Sequence, residues 1–123
     1  MRILIIEDDA FLRRAYEVGL RSQGFEVNVA ADGEIGIRLA EVSPPDAILL
    51  DILMPALSGV QVLERLKGNP DVARVPVVVL SNVCTADEAQ AMLAMGASAY
   101  LSKTGARIAD IGQTIRGLCT GGR

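Results

Sequence analysis

The sequence alternates short runs of β-branched and aliphatic residues with longer stretches in which apolar residues recur every three or four positions. The short runs predict strands, and the longer stretches predict helices with one buried face. Gly24, Gly68 and Gly96 stand where three of these helices should end. The five predicted strands are Arg2–Ile6, Glu26–Ala30, Ala47–Asp51, Val77–Ser81 and Ala99–Ser102.

Strict alternation of strand and helix predicts a parallel sheet that is covered by helices on both faces. A chain of 123 residues suffices for one such domain. We therefore expect an α/β protein with the flavodoxin-like (βα)5 fold, a doubly wound five-stranded parallel sheet of strand order 2-1-3-4-5. Residues 1–119 should form this domain, and 120–123 should form a flexible tail.

Composition removes several classes of function. The formal net charge is −3 and the basic residues are scattered, so we expect no direct binding of nucleic acid. The apolar runs are too short for a membrane span or a signal peptide, which predicts a cytoplasmic protein without membrane insertion. The two cysteines, Cys84 and Cys119, are expected to be reduced thiols. The absence of histidine excludes Ser-His-Asp and Cys-His nucleophiles and a phosphohistidine step within the chain.

Polar residues follow four of the five predicted strands at their carboxyl ends. In the predicted fold, the crevice at these ends is where ligands bind. Carboxylates that converge there repel one another, and a hard divalent cation such as Mg2+ relieves the repulsion. Asp9 is set apart, because an acidic residue just before a helix is typical of an N-cap. The residues concerned are Glu7, Asp8 and Asp9 after the first strand, Asp51 at the end of the third, Ser81 and Asn82 after the fourth, and Lys103 after the fifth.

Carboxylates near Mg2+ with one lysine close by are typical of a phosphoryl-transfer site. The metal and the ammonium group neutralise charge on the transferring oxygens. The carboxylate of Asp51 can attack phosphorus and become an acyl phosphate, a known form of covalent catalysis by aspartate. The predicted acceptor is then the protein itself.

Four segments carry a family resemblance that covers nearly the whole chain. They are ILIIEDD, LLDILMPALSG, VVVLSN and GASAYLSK, and they resemble the receiver domains of bacterial two-component response regulators. The resemblance implies that Asp51 accepts a phosphoryl group from a partner histidine kinase or phosphotransfer protein. It also implies an Mg2+ site of Asp8, Asp51, the backbone carbonyl of Leu53 and, mainly through water, Glu7.

The resemblance further implies a conformational switch. Ser81 and Lys103 would contact oxygens of the phosphoryl group, and Tyr100 would rotate toward Ser81 after phosphorylation. The surface of helix 4, strand 5 and helix 5 would change with it and be recognised by a downstream effector protein or domain.

The chain departs from the family pattern at several positions. Thr104 follows Lys103 where the family usually has a proline after a cis peptide, so we expect a trans bond here. Asn82 stands where a small residue is usual, and its amide could narrow access to Asp51. Leu53 and Val83 cannot orient a hydrolytic water by hydrogen bonding, which predicts slow loss of phosphate.

Other functions stay open at this point. A phosphatase of the haloacid-dehalogenase type would need a second aspartate where Leu53 stands. An FMN-binding module would need a phosphate loop without the acidic run that begins at Glu7. A receiver-like interaction module that works without phosphorylation is compatible with Asn82 and Thr104, although the acidic site is complete.

Overall fold

The computed structural model describes residues 1–52, 54, 57–82 and 85–121, without the side chains of 120 and 121. The five strands predicted from the sequence are confirmed with the same bounds, and a helix follows each of them. In chain order the elements are β1 (Arg2–Ile6), α1 (Ala10–Ser22), β2 (Glu26–Ala30), α2 (Gly33–Val42), β3 (Ala47–Asp51), α3 (Gly59–Lys67), β4 (Val77–Ser81), α4 (Ala86–Ala94), β5 (Ala99–Ser102) and α5 (Ile108–Gly121).

All strand pairs are parallel, and the strand order is β2-β1-β3-β4-β5. This confirms the predicted flavodoxin-like α/β fold. The order reverses between β1 and β3, which lie side by side in the sheet. The crevice that such a reversal opens at the carboxyl ends of the strands is where this class of fold binds its ligands.

The core has two apolar layers, one on each face of the sheet. In β1, Ile3 and Ile5 pack toward α1 and α5, whereas Leu4 and Ile6 pack toward α2 and α3. Every residue of β3 and β4 is buried. Central strands that are covered on both sides need continuous apolar runs, which is why these segments show no alternation of polar and apolar residues. Each buried Leu or Ile contributes about 1.5 to 3 kcal/mol.

Side-chain caps fix where the helices begin. The carboxylate of Asp9 accepts a hydrogen bond from the backbone N–H of Leu12 at 3.0 Å, so its predicted role as an N-cap is confirmed. Asp32, Ser58 and Thr85 cap α2, α3 and α4 in the same way. Each such cap is worth about 1 kcal/mol, so the first turn of each helix is held where it leaves the sheet.

Two further expectations concern the chain ends and the cysteines. Helix α5 extends to Gly121, two residues into the expected tail, while 122 and 123 lie outside the described residues. The division into a domain and a tail therefore stays a prediction. The Sγ of Cys119 donates to the carbonyl oxygen of Asp46 at 3.4 Å, and Cys84 lies outside the described residues, so the expectation of two reduced thiols stays a prediction.

One expectation concerned membranes. No helix within the part of the chain that the structure describes combines the length and the apolar character needed to cross a bilayer.

The start of α3 lies directly against the end of β3, and Gly59 makes that approach possible. A Cβ atom at this position would lie 2.4 Å from the Cα of Ile52 and 2.6 Å from the carbonyl oxygen of Asp51. Both obstacles are backbone atoms, so a side chain would force the helix away from the strand. The N–H of Gly59 also donates to the carbonyl oxygen of Ile52 at 3.0 Å, which holds the two elements together.

We expect Gly59→Ala to lower the free energy of unfolding by about 1 to 3 kcal/mol, as overpacking usually does. The matched control is Gly117→Ala in α5, where a Cβ would meet no atom within 4 Å. That change should raise stability by up to about 1 kcal/mol, because alanine favours a helix interior over glycine. Urea denaturation of both variants measures the difference, and equal effects would contradict the close approach at Gly59.

Candidate functional site

The topology brings three carboxylates to one edge of the sheet. Glu7 and Asp8 directly follow β1, and Asp51 is the last residue of β3. The register that pairs Ile6 with Leu50 places Glu7 beside Asp51. Glu7 and Asp51 are 1% and 3% exposed, whereas Asp8 is open to solvent. One oxygen from each of the three lies within 4.8 Å of the others.

Lys103 lies between the two buried carboxylates. Its Nζ is 3.0 Å from Oε1 of Glu7 and 3.0 Å from Oδ1 of Asp51, and its side chain is only 9% exposed. The backbone N–H of Lys103 donates to the carbonyl oxygen of Ser81 at 2.8 Å, so the end of β4 determines where the lysine starts. The sequence predicted that Lys103 would lie at this edge, but it did not predict the contact with Glu7.

Burial and charge shift the proton affinities of this group. Burial, followed by the neighbouring Asp51, raises the pKa of Glu7 from 4.5 to about 7, although Lys103 acts in the opposite direction. Burial alone would lower the pKa of Lys103, but its contacts with Asp51 and Glu7 outweigh this and raise it above 10.5. The lysine is therefore charged at neutral pH, and Glu7 is the carboxylate whose charge is expensive without further positive charge.

The connection between β1 and α1 is held by hydrogen bonds of its own. The N–H of Glu7 donates to the carbonyl oxygen of Ala30 at 3.1 Å, and the N–H of Asp9 donates to Oε2 of Glu7 at 3.2 Å. Nη1 of Arg13 donates to the carbonyl oxygen of Glu7 at 3.0 Å and reaches that of Asp8 at 3.4 Å. Sequence reasoning missed Arg13, because an arginine on an amphipathic helix usually extends into solvent.

Ser81 and Tyr100 lie on one face of the sheet. Ser81 is the last residue of β4 and is 2% exposed. Tyr100 pairs in register with Val79 and packs against the same apolar layer, so Ser81, two residues further along β4, faces the same side. The Tyr100 hydroxyl donates to Oε2 of Glu88 on α4 at 3.2 Å. This link between β5 and α4 was not predicted from the sequence.

The departures from the family pattern have mixed outcomes. The described residues contain no cis peptide, so the Lys103–Thr104 bond is trans as expected. The N–H of Thr104 donates to Oγ of Ser102 at 3.3 Å, and the two hydroxyl oxygens are 3.0 Å apart. Asn82 is exposed. Leu53 and Val83 lie outside the described residues. The prediction that the Leu53 carbonyl binds the metal and the prediction that these two side chains make phosphate loss slow therefore both stay untested.

The donor set is compatible with a magnesium ion. All three side chains offer carboxylate oxygens, the ligand type that Mg2+ prefers. Two oxygens bound directly to one Mg2+ lie at most about 4.2 Å apart, twice the metal–oxygen distance. A spread of up to 4.8 Å therefore fits an arrangement in which some of the carboxylates bind the metal through water. The buried Glu7 is the natural candidate for such an indirect ligand.

Comparisons with known proteins agree with this geometry. Residues 3–116 match the family described as response regulator receiver domain. The transcriptional regulatory protein PrrA of Mycobacterium leprae is 44% identical over 102 residues, which are 83% of this chain and 43% of that protein. The transcriptional regulatory protein QseB of Haemophilus influenzae is 39% identical over 103 residues, 84% of this chain and 46% of that protein. The chain thus spans less than half the length of these relatives.

Solved structures match the fold over nearly the whole chain. The alignment with the receiver domain of the Francisella response regulator 1452 includes 99% of this chain and 98% of that domain, with a TM-score of 0.92 at 24% identity. The alignment with a putative response regulator from Chloroflexus aurantiacus includes 96% of each chain, with a TM-score of 0.88 at 26% identity. On the family match and these sequence relatives, the chain belongs to the response regulator receiver domains of two-component systems.

Proposed function

We propose that this receiver domain accepts a phosphoryl group on Asp51 from a partner histidine kinase or phosphotransfer protein, with Mg2+ bound beside it. The observation that carries the proposal is the position of Asp51, buried at the end of β3 with Lys103 Nζ 3.0 Å from its carboxylate. A carboxylate in contact with a fixed ammonium group has a partner ready for the negative charge of an incoming phosphoryl group. Such a partner protein would meet the chain in the cytoplasm.

Asp8 and Asp51 would hold the metal directly, with Glu7 acting mainly through water. The backbone carbonyl of Leu53 would be a further ligand. Bound there, Mg2+ would offset the repulsion among the carboxylates and the negative charge on the transferring oxygens.

The proposed reaction needs no proton transfer at Asp51. An oxygen of its carboxylate forms a bond to phosphorus while the bond from phosphorus to the donor's nitrogen breaks, and the electron pair of that bond leaves with the donor. The product is an acyl phosphate. Lys103 then pairs with a phosphoryl oxygen in place of the Asp51 carboxylate, and the Ser81 hydroxyl donates to another.

Movement of Ser81 and Tyr100 would carry the signal to the surface. When Ser81 turns toward the phosphoryl group, it vacates space on the face of the sheet that Tyr100 shares. For Tyr100 to occupy that space, its hydroxyl must leave Glu88. The surface of α4, β5 and α5 would change accordingly. Phosphorylation would shift the populations of the two states, and a downstream effector that binds one of the two surfaces better would respond to that shift.

Intact-mass spectrometry after incubation with acetyl phosphate tests the proposal. We expect one phosphoryl adduct that forms when Mg2+ is present and does not form when EDTA is added before the phosphodonor. The Asp51→Asn variant, which keeps the size of the side chain, should form none. Absence of an adduct from the wild type under all conditions would instead favour an interaction module that works without phosphorylation.

The charge of Glu7 should make the stability of the metal-free protein depend on pH. Its pKa is raised in the folded state, so folding takes up a proton between pH 4.5 and about 7, and stability should fall as pH rises through that range. One proton limits this contribution to about 1.4 kcal/mol per pH unit. Excess Mg2+ should weaken the dependence, because it favours the charged carboxylate.

Urea denaturation of the wild type and Glu7→Gln in EDTA, from pH 5 to pH 8, measures this effect. The variant cannot ionise at this position, so the difference between the two profiles isolates Glu7. Parallel profiles would show that the carboxyl group titrates as it does in the unfolded chain.

Loss of phosphate from Asp51 should be slow. The apolar Leu53 and Val83 offer no hydrogen bond to a hydrolytic water, so the acyl phosphate would persist once formed. The decay of the adduct after removal of the phosphodonor measures its lifetime. Replacing Val83 with Gln, which can hydrogen-bond a water, should shorten it, and decay of the wild type within seconds at room temperature would contradict the prediction.

A further inference from the structure

Arg13 links the first turns of α1 to the backbone of the two acidic residues that follow β1. Its Nη1 lies 3.0 Å from the carbonyl oxygen of Glu7 and 3.4 Å from that of Asp8. No other side chain in the described residues donates to these two carbonyls. The guanidinium group thus connects α1 to the loop that carries two of the three carboxylates. The start of α1 is itself fixed by its N-cap, Asp9.

The loop depends on this connection because its own backbone hydrogen bonds restrain only part of it. The N–H of Glu7 is bound to Ala30 of β2, and the N–H of Asp9 is bound to the Glu7 side chain. Asp8 lies between them and is exposed. Its backbone N–H donates to no acceptor within the part of the chain that the structure describes. The carbonyl contacts of Arg13 therefore restrict the rotation of the peptides on both sides of the Asp8 Cα.

We propose that Arg13 is a positioning residue that holds the Glu7–Asp8 backbone in the geometry that binds the divalent cation. This inference rests on the proposed function, because it assigns Arg13 to the same metal site. Arg13 contacts carbonyl oxygens and no carboxylate in the described structure, so it acts through the direction of the Asp8 side chain. A loop without this restraint would have to be ordered when the metal binds, and the cost of ordering would appear as weaker affinity.

Arg14 provides a matched control. It is the next residue of the same helix and carries the same charge, but its side chain is 73% exposed, and among the described residues its Nη1 has one partner, Glu17, at 3.1 Å. Arg13→Met and Arg14→Met therefore remove the same charge from nearly the same place. When Arg14 is replaced, Glu17 keeps its second partner, Nη2 of Arg21 at 3.1 Å, so that control should fold like the wild type.

Isothermal titration with Mg2+ measures the affinity of the wild type and both variants. We expect Arg13→Met to weaken binding by about tenfold, the lower end of the usual effect of residues that support metal ligands, and Arg14→Met to leave it unchanged. Arg13→Lys separates charge from geometry, because lysine keeps the charge but its ammonium nitrogen lies one bond closer to the backbone than the Nη1 that reaches both carbonyls. It should stay closer to Arg13→Met than to the wild type.

The rate of Asp51 phosphorylation by acetyl phosphate, measured as a function of Mg2+ concentration, gives an independent readout. A positioning role predicts that Arg13→Met raises the half-saturating Mg2+ concentration while the maximal rate at saturating Mg2+ stays near that of the wild type. Urea denaturation checks that the variants are folded under the conditions of the assay.

Three results would overturn the inference. They are equal Mg2+ affinity of Arg13→Met and Arg14→Met, full recovery in Arg13→Lys, or a lower maximal rate with unchanged Mg2+ dependence. Failure of the proposed function itself would look different, because the wild type would then show neither Mg2+ binding nor an adduct.

Discussion

The ammonium group of Lys103 between the carboxylates of Glu7 and Asp51 is the interaction on which the rest of the site depends. Two carboxyl groups and one ammonium group are buried there at contacts of 3.0 Å. Removing charges from water is costly, and the contacts offset that cost only if every partner is held in place. The parallel sheet does this, because β1, β3, β4 and β5 end at one edge and each supplies or anchors a member of the group.

This charge balance is incomplete in the metal-free protein. Glu7 relieves part of the excess negative charge through its raised pKa, and Asp8 adds a further carboxylate at the solvent side. Such a site gains from either a cation or a change in protonation. In the proposed function, the metal and the phosphoryl group are therefore linked to the stability of the domain as well as to its signalling.

Most of the fold could be predicted from the sequence because it rests on strong periodic signals. The apolar runs of β3 and β4 are short, uninterrupted and bounded by loop residues, and the Asp9 cap needs only contacts within its own helix. The convergence of Glu7, Asp51 and Lys103 also followed from strand ends alone. The contacts of long side chains, in contrast, could not be predicted from the sequence. Arg13 on the Glu7 carbonyl and Tyr100 on Glu88 depend on rotamers and packing that no local pattern encodes.

The central claim is that Asp51, among several nearby carboxylates, is the group that carries the phosphoryl group. Reduction with sodium borohydride converts an aspartyl phosphate to homoserine, and peptide mapping by mass spectrometry then locates the modified residue. We predict homoserine at position 51 after treatment with acetyl phosphate and Mg2+, with Asp8 and Glu7 unchanged. Modification at Asp8 or Glu7, with position 51 intact, would contradict the account.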